Sequence, residues 1–255
     1  MRNIYTLIFC LLTMPALTFA ADEKEKEPQR IADVWNVVPK DGHGEEFYNG
    51  LKAHMAFRSE KNDPRMWQVY TPTTGSELNK YIVRACCYEW SDQDSYIEWT
   101  KTAGTGKNWN ELVHPHVESY SHDFIETDSK NSHWKEGTVA NYVGVTNMKV
   151  KSGSGQKMNK AISAMSKVAK DHNWDKSWWW AYPVSGDTDV SLAIPFANFA
   201  DMAPLEESFY KFVVRVLDSE DEANKLFDNY SSSIDSSSYT IYKHEKELSM
   251  TSDKE

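Results

Sequence analysis

The chain has 255 residues with 28 Lys and Arg against 38 Asp and Glu, a formal charge of −10 and a mean hydropathy of −0.65. Forty per cent apolar content supports a folded core and excludes a multi-span membrane protein, a collagen-like chain or a disordered one. The acidic balance argues against a nucleic-acid partner, because neutralising phosphates requires a basic surface.

Residues 1–20 read as a secretory signal peptide. Arg2 gives the positive start, Ile4 to Leu12 the apolar run, and Thr18-Phe19-Ala20 the small residue at the cleavage point. A charged linker, 21–30, follows. The mature chain is therefore expected in the periplasm or secreted, with no membrane association once the leader is removed. Removal of Cys10 leaves the neighbours Cys86 and Cys87. A bond between adjacent residues of a strand needs a distorted peptide, so the pair reads as two small buried hydrophobes.

From residue 31 the chain presents one pattern twice. Ala32 to Val38 reads as a strand, and a helix follows with Phe47, Leu51, His54 and Phe57 on one face. Met66 to Tyr70 and Tyr81 to Trp90 form a hairpin around Gly75. A helical stretch from Ser95 to His114, interrupted at Ala103-Gly-Thr-Gly106, leads to a strand at Asp123 to Thr127. After a linker at 129–136 the order returns: a strand at Ala140 to Thr146, then a helix with Met158, Ile162, Met165 and Val168. Next come Trp178 to Tyr182, Gly186, Val190 to Phe199, a helical stretch from Leu205 to Tyr230, and a last strand at Ser238 to His244. The two units span 31–128 and 137–248, and 249–255 reads as a polar tail.

The order β-α-β-β-α-β, twice, is that of the ferredoxin-like split β-α-β unit. It resembles the dimeric α/β-barrel superfamily, fused here into a single-chain pseudo-dimer that needs no second copy. The resemblance implies an α+β fold in which two four-stranded antiparallel sheets pack face to face with helices outside. Its members include cofactor-free and haem-degrading monooxygenases, chlorite dismutases and dye-decolorising peroxidases, so it leaves haem open as a cofactor. Fold alone does not choose among these chemistries.

No Gly-x-x-x-x-Gly-Lys-Ser/Thr, Gly-x-Ser-x-Gly, His-Glu-x-x-His or Cys-x-x-Cys occurs in the sequence. Three polar residues, His54, Arg84 and Gln68, stand where the pattern calls for apolar ones. His54 occupies the place of Met165 on the helix stripe, as a core histidine with its own partners, a residue of a cleft between helix and sheet, or an exposed one. Arg84 shares a strand face with Ile82, Cys86 and Tyr88, and needs either a carboxylate or a ligand anion. Gln68 and Tyr70, matched with Trp180 and Tyr182, can share that face. His54, Gln68, Tyr70 and Arg84 are therefore the candidate ligand-binding residues, expected around a cavity between the first helix and its sheet. His114-Pro-His116-Val-Glu118 with His122-Asp123 reads as a solvated helix end, a metal site or a source of a haem ligand; no metal site is assigned. In Trp178-Trp179-Trp180 the outer two rings point one way and the middle one the other, as core or as a pocket for a flat ligand. The function expected is an exported small-molecule-binding or accessory protein; the alternative is an oxidative enzyme acting on a flat aromatic or haem-like molecule.

Overall fold

A computed structural model describes residues 30–186 and 189–251. The expected leader at 1–20 lies outside the described residues, as does most of the linker after it. The described residues form eight strands and six α-helices. The first half runs β1 (Arg30–Pro39), α1 (Gly44–Glu60), β2 (Trp67–Pro72), β3 (Tyr81–Glu89), α2 (Asp92–Ala103), α3 (Thr105–Leu112) and β4 (Val117–Thr127). The second runs β5 (Tyr142–Val150), α4 (Gly155–Asp171), β6 (Trp179–Pro183), β7 (Val190–Phe196), α5 (Phe209–Leu217), α6 (Glu220–Ser231) and β8 (Ile234–His244). The fold is α+β, with the split β-α-β order in each half.

Both helical stretches break, for local reasons. Gly104 ends α2 in the left-handed conformation, φ 74°, which glycine adopts without steric cost, and the next residue begins α3. The second stretch, expected as one helix, divides at Asp218, φ 49°. Ser219 then caps α6 by accepting the Glu222 amide, the serine–glutamate spacing of a capping box. Gly50 is needed for packing: a β-carbon there would meet the Leu112 carbonyl oxygen at 2.1 Å, so α1 and α3 touch through it.

The sheets do more than face one another. Each keeps the order β4-β1-β3-β2 or its counterpart β8-β5-β7-β6, and their edges then pair, β2 with β8 and β4 with β6. One closed, wholly antiparallel eight-stranded barrel results, with three residues of each strand paired at either seam. Helices cover the outside. Side chains alternate along every strand, so each sheet has a helix-facing side and a lumen-facing side. In the first half Val37, Val69, Val83 and Ala85 join Phe47, Leu51 and Met55 of α1 in the outer core. In the second, Trp178, Trp180, Val190 and Leu192 pack with Met158 and Ile162 of α4.

The segment expected as a linker and the start of the expected polar tail are packed. In 129–136, Asn131 and Ser132 are buried and His133 bridges to Trp178, because the chain must close the β4–β6 seam. Beyond β8, Met250 is buried and its amide bonds to the Trp67 carbonyl, while Ser249 accepts the Val69 amide; together they occupy backbone groups of β2 beyond its short pairing with β8.

Candidate functional site

The barrel encloses a cavity of about 650 Å³. First-half strands contribute Val34 and Asn36 of β1, Tyr70 of β2, Arg84 of β3 and Asp123 of β4; second-half strands contribute Val145, Asn147, Trp179, Ala193 and Tyr242 among others. Glu77 and Lys80 of the β2–β3 hairpin, joined by a 3.2 Å ion pair, stand with Asp189 at the end where both hairpins turn.

Arg84 lies on the lumen face between Val34 and Gln68 in the strand register. Its guanidinium makes no hydrogen bond or ion pair with any of the described residues. The barrel wall surrounds it, yet it keeps accessible surface on the cavity. Burial lowers its pKa, while the Tyr70 and Tyr88 phenols oppose the shift. Burying a cation without a partner is costly, and a ligand anion is the simplest offset. The Trp179 indole N–H, on β6 of the other half, is likewise buried with no acceptor among the described residues. Two donors of this lumen thus await acceptors. The acidic side chain Asp123 is already engaged, accepting from Asn36 Nδ2 at 2.8 Å.

The four candidate residues divide. Tyr70 and Arg84 line the lumen, and Gln68 shares their strand face. Gln68 is committed elsewhere, donating to the Met250 carbonyl at 2.9 Å while its Oε1 lies 2.9 Å from His244 Nε2. Tyr70 stacks on His244 with ring centroids 5.0 Å apart, and burial raises its phenol. His54 is on the other side of the sheet, 1% exposed. Its Nδ1 donates to Asn108 Oδ1 at 2.7 Å and its Nε2 accepts Arg58 Nε–H at 2.9 Å, which assigns the tautomer from the partners. Burial first, then the Arg58 charge, lowers its pKa to about 4. Among the described residues the partners of His54 fill the seam between α1 and its sheet, and the cavity that Tyr70 and Arg84 line is the lumen. The repeat match also slips by one residue on β6. Trp180 faces α4, so the lumen counterpart of Gln68 is Trp179.

Sequence reasoning missed what fills the first-half seam. Arg65 is ion-paired to Asp33 at 2.9 Å and lies between the Tyr88 and Tyr96 rings, 3.5 Å from each centroid. Asp33 also accepts from His122 at 2.6 Å, and His122 stacks on Trp35. Arg58 pairs with Asp63 at 2.6 Å beside His54. The signal was present: Asp33 alternates with Ile31, Trp35 and Val37 on an otherwise apolar face. Burial and the Asp33 carboxylate together raise the Tyr88 phenol.

The histidine cluster is dispersed. His43 and His116 approach at 3.1 Å, His122 goes to Asp33 outside the barrel, and Asp123 points into it. Among the described residues no group of three or more His, Cys, Asp or Glu converges as a metal site would require. Cys86 and Cys87 are bonded to each other, against expectation. Their peptide is cis, a geometry the strand-alternation argument had not admitted. The ladder shifts here: Ala32 faces Cys86 but Ile31 faces Tyr88, so Cys87 is an extra residue and both cysteines line the lumen. Tyr88, expected beside Arg84, is thereby turned to the helix side.

A second cavity, about 410 Å³, lies between α4 and the second-half sheet under α5 and α6. Its walls are apolar, with Met165, Trp174, Trp180, Phe209 and Phe227 prominent. Tyr230 there donates to Met148 Sδ at 2.8 Å, and burial pushes its phenol up to about 12, so it is protonated at neutral pH. No histidine lines either cavity, and both described cysteines are in the disulfide. Neither wall therefore offers an imidazole or a free thiolate to a haem iron, and of the tyrosines there Tyr230 is bonded to Met148 Sδ and Tyr70 is stacked on His244; these residues fit that group poorly, and no step is derived through it.

Compared by sequence, the chain matches no family model and no curated protein. Solved structures do resemble it. A proposed monooxygenase from Fusobacterium nucleatum superposes with a TM-score of 0.56 at 9% identity, over 86% of this chain and 94% of that one. A proposed monooxygenase from Lactobacillus acidophilus gives 0.53 at 10% identity, over 85% and 94%. The fold is that of the dimeric α/β barrel. A chlorite dismutase from Candidatus Nitrospira defluvii gives 0.52 at 8% identity, over 86% and 94%. At such identities the likeness speaks to the barrel alone.

Proposed function

We propose that this dimeric α/β barrel is an exported small-molecule-binding protein that holds an anionic ligand, such as a small carboxylate, in its lumen. The reading is carried by one observation: Arg84 has no partner among the described residues in a cavity of about 650 Å³, a size typical of small-molecule sites. Trp179 adds a second unspent donor, and Tyr70 and Tyr242 add aromatic wall. Arg84 would anchor the anion, with Tyr70 bounding it; Gln68 holds β2 and the C-terminal segment in place. Export rests on the character of residues 1–20.

Calorimetric titration with propionate and benzoate tests it. Binding is expected, weakened at least tenfold by Arg84→Gln, with no loss of thermal stability. Absence of binding to either anion, or equal binding by the variant, would overturn it.

The apolar second-half cleft favours another reading, an oxidative enzyme acting on a flat aromatic molecule, in keeping with the proposed monooxygenases of similar fold. Quenching of tryptophan fluorescence by a neutral planar probe such as 1-naphthol, abolished by Ala169→Phe, would support occupancy of the cleft; oxygen uptake in the same mixture would support turnover.

A further inference from the structure

We propose that the Cys86–Cys87 disulfide is a redox-active group of the lumen that exchanges with small thiols carrying an anionic group, steered by Arg84. The proposal rests on the lumen being an anion site, and adds to it a reaction and a substrate class.

A disulfide stabilises chiefly by closing a loop of the unfolded chain, and the benefit grows with loop length. This one joins neighbours and encloses no intervening residue, so it restrains almost nothing in the unfolded chain. Its position points elsewhere. Strand alternation would have turned Cys87 toward the helices; the bulge turns it into the lumen with Cys86 instead. Arg84 is two residues away on the same face, roughly 7 Å from Cys86 between α-carbons. The matching stretch of β7 (Ala193, Ile194, Pro195 and Phe196) has neither a cation nor a sulfur. Guanidinium and disulfide therefore occur together, in one half only, on the wall of one cavity.

The chemistry balances with the thiol as sole co-reactant. Arg84 pairs with the ligand's anionic group, and the ligand thiolate attacks one cysteine Sγ. The S–S bond breaks, a mixed disulfide forms, and the other Sγ leaves as a thiolate. Arg84 stabilises that thiolate electrostatically until it takes a proton, which speeds its departure. A second ligand thiolate attacks the mixed disulfide, releasing the ligand as its own disulfide and the second cysteine as a thiol. Two thiols have been oxidised to one disulfide, and the cysteine pair has received two electrons. A small thiol is specified because the sulfurs stand on the wall of a cavity of about 650 Å³.

The test uses the mature chain and three thiols of similar size: anionic 3-mercaptopropionate, neutral 2-mercaptoethanol and cationic cysteamine. Opening of the disulfide is followed by rapid alkylation and mass spectrometry, with rates compared at equal thiolate concentration. The expected result is at least tenfold faster reaction with 3-mercaptopropionate, protection by propionate, and loss of the preference in Arg84→Gln. Equal rates for the three thiols, or alkylation of Cys86 and Cys87 without any reductant, would overturn the proposal. Propionate binding measured in parallel on Cys86→Ser/Cys87→Ser separates the failures. Binding retained with no thiol preference in the native chain sinks the redox role alone, whereas no propionate binding in either protein sinks the anion site as well.

Discussion

The two halves share topology and differ in where they keep their polar groups. In the first half the space between helices and sheet is filled by charges: Asp33 with Arg65, Arg58 with Asp63, and His54 spanning Asn108 and Arg58. In the second half the same space is apolar and partly open. On the lumen side the guanidinium and the disulfide come from the first half, whereas Val143, Val145, Trp179, Ala181 and Ala193 of the second offer mainly apolar wall. A duplicated fold can assign different work to equivalent surfaces because each half is held by its own outer core. The first half's charges are paired where they face helices, whereas Arg84 on the lumen has no partner among the described residues, and the proposed function rests on that contrast.

The largest effect expected is on the paired side. Arg65→Met leaves Asp33, itself 4% exposed, with only His122, and should destabilise the chain by about 3–5 kcal/mol in urea unfolding. A loss below 1 kcal/mol would show that the pair is solvated. Next is a pH effect. The folded pKa of His54, about 4, lies below the ordinary 6.5, so between these values the unfolded chain binds more protons. Stability should therefore fall on acidification from about pH 6.5 and reach its full loss near pH 4, by about 3 kcal/mol for this group alone. His54→Gln should flatten that part of the curve; an unchanged slope would reassign it to other groups.

On the unspent side the sign reverses. Arg84→Gln removes a half-buried cation with no partner among the described residues and should leave stability unchanged or raise it by up to about 1 kcal/mol, while ligand binding is lost. Marked destabilisation by Arg84→Gln would mean the guanidinium is structural and would dissolve the contrast. The smallest effect concerns the break between α5 and α6: Ser219→Ala should cost about 1 kcal/mol by removing the cap on the Glu222 amide. An equal loss in ligand affinity from that change would couple two regions that the structure keeps apart.

Much of this was legible because it is local. Hydrophobic spacing placed the strands and helices, Gly104 marked the α2–α3 break, and the doubled order gave the pair of units; Arg84 and Tyr70 were singled out by polarity on strands that alternate. The Asp218–Ser219 break was missed, although serine followed three residues on by glutamate marks it. Other features depend on contacts distant in sequence. That His54 is satisfied follows from Asn108, 54 positions away, and from Arg58 one helical turn on. Asp33 is tolerated because Arg65 and His122 reach it from other elements. The slip that pairs Gln68 with Trp179, and the extra residue that turns Cys87 inward, shift side chains between faces by a single position, and such register is set across the sheet. Sequence by itself thus determined two β-α-β-β-α-β units and the residues out of place in them. Tertiary structure alone decided that the sheet edges join into a barrel, and hence which misplaced residues neutralise one another outside it and which face an enclosed lumen, because burial and partnership belong to the closed assembly of strands.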